Sequence, residues 1–139
     1  MVKRLEERVT WLVGRAQSRS HGLLRDSFAL ADSKPYHYRL LAALGDHGPA
    51  SQADLGRLTG LDRSDVSGAV EVLWEAGFVE RDPDPSDRRR NIVSVTQPGR
   101  TELRRLDAVL DRVQEEYLAP LEESERQVFI GLIRRLADG

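Results

Sequence analysis

The strongest constraint in this sequence lies between Ser51 and Gly77, where two short amphipathic runs are punctuated at both ends. Ser51 is a good N-cap for a helix from Gln52 to Thr59, with Ala53, Leu55 and Leu58 as its apolar positions. Gly60 stops that helix, and Leu61 puts an apolar residue inside a tight turn. Asp62 then caps a second helix, about Arg63 to Ala76, whose inward positions are Val66, Ala69, Val70 and Leu73. Gly77 supplies the left-handed stop after its last turn. Two short helices joined by a glycine-containing turn form a helix-turn-helix pattern. The apolar side of the second helix holds the first, which leaves Arg63, Ser64, Asp65, Ser67 and Gly68 at its outward N-terminal end.

What surrounds this pattern sets the fold class. Phe78 to Arg81 alternates apolar and charged residues, and Ile92 to Thr96 is β-branched with alternation, so both read as short strands. Asp82 to Asn91, with Pro83, Pro85 and the triplet Arg88, Arg89 and Arg90, reads as the turn of a hairpin, the three arginines at its tip. A hairpin directly after a helix-turn-helix is a wing. Upstream, Leu5, Val9, Leu12, Ala16, Leu23, Leu24 and Phe28 recur at helical steps, predicting one long helix from Val2 to about Ala31. Ser33 is the expected N-cap of the next helix, about Lys34 to Asp46, with Pro35 in its first turn. Downstream, a long helix opens at Gln97 or Pro98, carries Leu103, Leu106, Leu110, Val113 and Tyr117, and stops at Pro120. Ser124 with Gln127 suggests a capping box for a last helix striped by Val128, Phe129, Leu132, Ile133 and Leu136. The expected fold is mainly α with a small β-hairpin wing: a winged helix-turn-helix lobe with long flanking helices.

Composition removes most other function classes. Hydrophobic residues make up 40% of the 139 and charged residues 32%, enough for a core and too apolar for wholesale disorder. The longest apolar stretch, Val128 to Ile133, is far short of the ~20 residues a membrane span needs. The mixed-charge N-terminus does not read as a signal peptide, and a cytoplasmic location without membrane association is expected. The absence of cysteine excludes disulfides, thiolate zinc sites and thiol redox sensing. His21, His37 and His47 stand at no metal-ligand spacing, and no phosphate loop or Ser/His/Asp arrangement stands out. Neither an enzyme nor a cofactor or metal is expected. The net charge of −2 gives no global sign of a polyanion partner, and Ser51–Arg100 holds seven arginines against nine carboxylates. Any nucleic-acid affinity must therefore be local, with a modest salt dependence carried by the wing.

The run from Ser51 to Glu80, the wing Asp82-Pro83-Asp84-Pro85-Ser86-Asp87-Arg88-Arg89-Arg90 and the segment Val93-Ser94-Val95-Thr96-Gln97-Pro98-Gly99-Arg100 together resemble the MarR family of bacterial transcription regulators. The Asp-x-Arg of Asp87 and Arg89, followed by Thr96-x-x-Gly99-Arg100, is the more specific part of the match. Element order agrees over nearly the whole chain.

The resemblance implies a homodimer whose first and last helices interlace, with residues 1–33 and 100–139 as dimerisation segments and 34–99 as the DNA-binding lobe. It implies that the helix after Asp62 enters a major groove of double-stranded DNA, presenting Arg63, Ser64, Asp65, Ser67 and Gly68, with Gln52 at the start of the preceding helix. Gly68 departs from the larger polar residue common in the family. Arg89, flanked by Arg88 and Arg90 and oriented by Asp87, is implied to enter a minor groove. Two such lobes imply a palindromic operator with half-sites one helical turn apart, roughly 34 Å. The family commonly takes small aromatic or anionic effectors between dimer base and lobe, and Trp11, His21, Tyr36, Tyr38 and Arg39 are the residues of suitable chemistry in those stretches. A repressor released by such an effector is the expected function. The alternative, kept open by the acid-rich lobe and by Gly68, is a winged-helix protein-interaction module with weak or no DNA binding.

Overall fold

A computed structural model describes residues 1–139. It contains α1 (Lys3–Glu6), α2 (Val9–Leu30), α3 (Pro35–His47), β1 (Ala50–Ser51), α4 (Gln52–Thr59), α5 (Arg63–Glu75), β2 (Val79–Asp84), β3 (Asp87–Val95), α6 (Gln97–Leu118) and α7 (Glu123–Asp138). The mainly helical fold with a small antiparallel sheet is as expected. No helix is long and apolar enough to cross a membrane. The chain divides into two compact units, Arg25–Val109 and Met1–Leu24 with Leu110–Gly139.

The Arg25–Val109 unit has a continuous core. Phe28, Leu40, Leu41 and Leu44 meet Leu55, Val66, Val70 and Leu73 of the two short helices and Val79 and Val93 of the sheet, all nearly inaccessible to solvent. Burial of this apolar area, at roughly 25 cal/mol per Å², is what holds α4 and α5 in place. Tyr38 stacks edge-on against Phe28 and donates its hydroxyl to Asp107 at 2.7 Å. Of the three apolar positions expected to face inward on α4, only Leu55 is buried; Ala53 and Leu58 are exposed. An eight-residue helix presents about two turns, enough for one fully covered anchor.

Local capping explains most boundaries. Ser51 accepts from the Asp54 amide at 3.1 Å, and Gly60 closes α4 at φ 72°. After α5, Gly77 at φ 81° lets its own amide reach the Trp74 carbonyl and the Phe78 amide reach Leu73, a paired C-terminal wrap. The expectation that Ser33 caps α3 is corrected. Asp32 takes the left-handed position at φ 57°, and the Ser33 amide donates back to Phe28 at 2.8 Å, so Ser33 finishes α2 and Lys34 precedes Pro35 at the start of α3.

The sheet departs further from expectation. It has three strands in the order β1-β3-β2, not two, because Ala50 and Ser51 pair with Val93 and Ile92. β2 and β3 also run well into the segment expected to be a turn, with Asp82 opposite Ile92 and Pro83 opposite Asn91. The next pair joins Asp84 to Asp87, so Arg88, Arg89 and Arg90 bulge out of the ladder beside Pro83, which has no amide to donate. The arginines therefore lie on the flank of β3 and not at the tip. The tip is Pro85-Ser86, where the Ser86 amide and hydroxyl both donate to Asp84. The Ser86 amide first, then its hydroxyl, hold the Asp84 carboxyl below the usual carboxylate range.

In the other unit, the single helix expected from Val2 is broken after Glu6. The Arg8 amide reaches back only three residues to Leu5, and the regular ladder resumes when Leu12 donates to Arg8. The capping box of the last helix is formed by Glu122 and Glu125, with the Glu122 amide donating to Glu125 at 2.8 Å, and not by Ser124 and Gln127. The acidic pair takes both exposed amides two residues earlier. Arg19 donates to the Tyr117 and Glu116 carbonyls at 2.8 and 3.0 Å, occupying two acceptors at the end of α6.

Candidate nucleic-acid interface

The interface is built from three short pieces of chain that the core fixes at one side of the lobe. Asp62 starts the first. Its carboxylate accepts from the Asp65 amide and the Ser64 hydroxyl, both at 2.9 Å. These two bonds, the amide first, hold its carboxyl below the usual range, so it stays ionised as the cap. Val66, Ala69, Val70 and Leu73 turn into the core, which leaves Arg63, Ser64, Ser67 and Gly68 on the exposed face and Asp65 half-buried. Ser64 is committed to the cap. Arg63 has no ion pair or hydrogen bond and projects from the positive end of the α5 dipole. A methyl group at Gly68 would meet nothing within 4 Å, so packing does not require glycine there.

The second piece is the start of α4, with Gln52, Ala53 and Arg57; the third is the bulged flank of β3. Between them and Arg63 lies a cleft of about 790 Å³, lined by Gln52, Arg57, Arg63, Arg89, Arg90 and Asn91 together with Ser51, Ala53 and Gly56. Four guanidiniums and no carboxylate line it. Asp54 and Asp87 stand behind these arginines as ion-pair partners, whereas Glu71 takes Arg81 at 2.8 Å, and Arg81 in turn lies 4.2 Å over the half-exposed Trp74 ring. Trp74 serves as the platform for that pair.

Of the residues expected to contact DNA, Gln52, Arg63, Arg89 and Arg90 converge on the cleft; Ser64, Asp65, Ser67, Gly68, Asp87 and Arg88 do not line it. Asp87 does hold the wing arginine, accepting from the Arg89 amide at 3.0 Å and lying 3.6 Å from its Nε. The Arg89 side chain is otherwise 94% exposed. Arg57 and Asn91 are the cleft residues that sequence reasoning missed. Arg57 lies on the second turn of α4, one turn beyond Gln52 and Ala53, and an i+4 count from Ala53 would have found it.

The Thr96-x-x-Gly99 signature has a structural role. The Thr96 hydroxyl donates to the Gly77 carbonyl at 2.7 Å and accepts from the Gly99 amide at 3.0 Å, tying the end of α5 to the start of α6. A Cβ on Gly99 would lie 2.0 Å from the Phe78 carbonyl oxygen, so only glycine permits this approach.

The residues read as effector ligands divide between the two units. Trp11 and His21 belong to the Met1–Leu24 segment and are exposed. In the lobe, Arg39 stacks 5.4 Å over Tyr36 and donates to the Thr59 carbonyl at 3.2 Å. Tyr38 does not join them, because its hydroxyl is on Asp107. A second cavity of the lobe, about 730 Å³, contains none of these residues; its walls include Lys34, His37, Leu41, Leu73, Phe78 and Arg105. Burial, followed by the charge of Lys34, pushes the His37 pKa below its ordinary value.

Comparison with known proteins agrees with this architecture. The family model described as MarR family matches residues 32–90. The HTH-type transcriptional repressor NicR of Pseudomonas putida is 31% identical over 132 residues, which are 95% of this chain and 84% of NicR. The crystal structure of a probable transcriptional regulator from Pseudomonas aeruginosa matches with a TM-score of 0.84 at 34% identity, covering 95% of this chain and 98% of that one. BpsR of Bordetella bronchiseptica, whose DNA binding is regulated by 6-hydroxynicotinic acid, matches with a TM-score of 0.84 at 26% identity over 96% of this chain and 95% of its own. With the arginine-lined winged helix-turn-helix and these relatives together, the chain belongs to the MarR family of transcriptional regulators.

Proposed function

We propose that this protein is a homodimeric repressor that binds a palindromic operator and leaves it when a small anionic or aromatic effector binds. The observation that carries the DNA reading is the cleft in which Arg57, Arg63, Arg89 and Arg90 converge from three separate elements. Arg63, at the exposed start of a capped helix, has the reach and the fork of donors for a guanine edge in the major groove. Arg89, held by Asp87 and otherwise solvated, enters the minor groove beside it. Arg57 and Arg90 take phosphates and set the register.

Dimerisation is supported by what the Met1–Leu24 and Leu110–Gly139 unit leaves uncovered. Val9, Leu12, Val128, Leu132 and Leu136 are all exposed there, at helical spacing on α2 and α7. The effector reading is supported by the second cavity. Its apolar walls suit a small ring, Lys34 supplies a cation, and the C-terminal turns of α5 form one side, so an occupant bears on the helix that starts at Arg63.

The test is gel retardation of the intergenic DNA upstream of this gene. The wild type is expected to retard it, and R63A and R89A each to weaken retardation about tenfold or more, as loss of a good base or groove contact does. Retardation by both variants equal to the wild type would reject the assignment.

A further inference from the structure

The four arginines of the cleft are not equally free. Asp54, in the first turn of α4, pairs through Oδ1 with Arg57 on its own helix and through Oδ2, at 4.0 Å, with Arg90 on β3. One carboxylate thus spans from the helix-turn-helix to the wing while remaining 37% exposed. Arg89 has its own tether in Asp87 on the same strand, and Arg63 has none. The capping of α4 does not need this carboxylate, because the Asp54 backbone amide, not its side chain, makes the bond to Ser51.

We propose that Asp54 is an internal stand-in for a DNA phosphate. A carboxylate and a phosphodiester each offer one negative charge and two acceptor oxygens to a guanidinium fork. In the free lobe Asp54 holds Arg57 and Arg90; on DNA the backbone takes both arginines and Asp54 gives them up. The residue thereby sets the sequence-independent part of the affinity, while Arg63, outside the exchange, keeps its reading of base edges. This inference rests on the cleft being the DNA-binding face.

The test uses the full-length protein, a fluorescein-labelled mixed-sequence duplex of about 30 base pairs, and anisotropy titrations between about 50 and 200 mM salt. D54N, which keeps the side-chain shape, and D54S, which shortens it, are each expected to bind roughly two- to tenfold tighter at low salt, the range for two partly exposed ion pairs. The salt dependence steepens by about one unit on a log–log plot, as for one added positive charge. Thermal stability does not rise, because an acid in the first turn favours the helix dipole. In an R57A/R90A background the gain from D54N disappears. Unchanged or weaker binding by folded D54N and D54S, or a gain that persists in the R57A/R90A background, would overturn the proposal. A wild type that binds no duplex at all removes the DNA reading itself, and this inference with it.

Discussion

Two parts of this chain solve the problem of burial differently. Arg25–Val109 encloses every buried apolar side chain except Val113. The unit made of Met1–Leu24 and Leu110–Gly139 relies instead on polar pins: Arg19 on two α6 carbonyls and 5.0 Å over the Tyr117 ring, the Tyr117 hydroxyl on the Ala16 carbonyl at 3.0 Å, and Arg126 on Glu115 at 2.7 Å. The one ion pair among them, Arg126–Glu115, contributes about 0–1 kcal/mol. Meanwhile Val9, Val128 and Leu136 stand 69%, 61% and 67% exposed. The first region is a finished domain; the second leaves uncovered the apolar stripes that the proposed dimer buries.

Breaking the unfinished half has the largest expected effect. L132D together with L136D puts two carboxylates on the apolar stripe of α7, outside the lobe. The variant is expected to sediment as a monomer and to lose roughly 10²–10⁴-fold in operator affinity, the advantage that linking two binding modules confers. A variant that stays dimeric with full affinity would show that the stripe has another purpose. Next in size, L55A opens a void under α4, where the side chain is wholly buried. Calorimetry should show a loss of about 2–5 kcal/mol in lobe stability, with the dimer retained at low temperature. Dissociation on this change alone would mean that the two regions are one cooperative structure.

The contrast between the regions also governs what could be read from the sequence. Ser51, Gly60, Asp62 and Gly77 marked their helix ends correctly because each acts through bonds within a few residues of itself. Ser33 misled because two good cappers adjoin, and Asp32, able to adopt φ 57°, claimed the junction for α2. Prolines and aspartates argue for a turn over Asp82–Asn91, whereas β2 and β3 stay paired as far as Pro83 and Asn91 and, after a bulge, Asp84 and Asp87. β1 is two residues long and leaves no periodic signal. For the candidate site, Arg63, Arg89 and Arg90 were legible from local pattern and resemblance. The convergence of these arginines with Arg57 on one cleft was not, because a lobe-wide charge count cannot say which face each residue takes.

The smallest effect expected is at Gly68. G68A fills open space on a helix face and removes backbone freedom from the unfolded chain, so the lobe should gain about 0.5–1 kcal/mol in thermal unfolding. Operator affinity should change less than twofold if Gly68 makes no contact of its own. A large loss of affinity would mean that the backbone at Gly68 approaches the DNA closely enough to exclude a methyl group.

Hydroxyl-radical footprinting of the upstream intergenic DNA tests the central claim most directly. Two copies of the arginine cleft should protect two symmetric patches whose centres lie one helical turn apart, about 10–10.5 base pairs, with added minor-groove protection on their outer flanks that R89A removes. A single patch, or a symmetric footprint that R63A and R89A leave untouched, would contradict it.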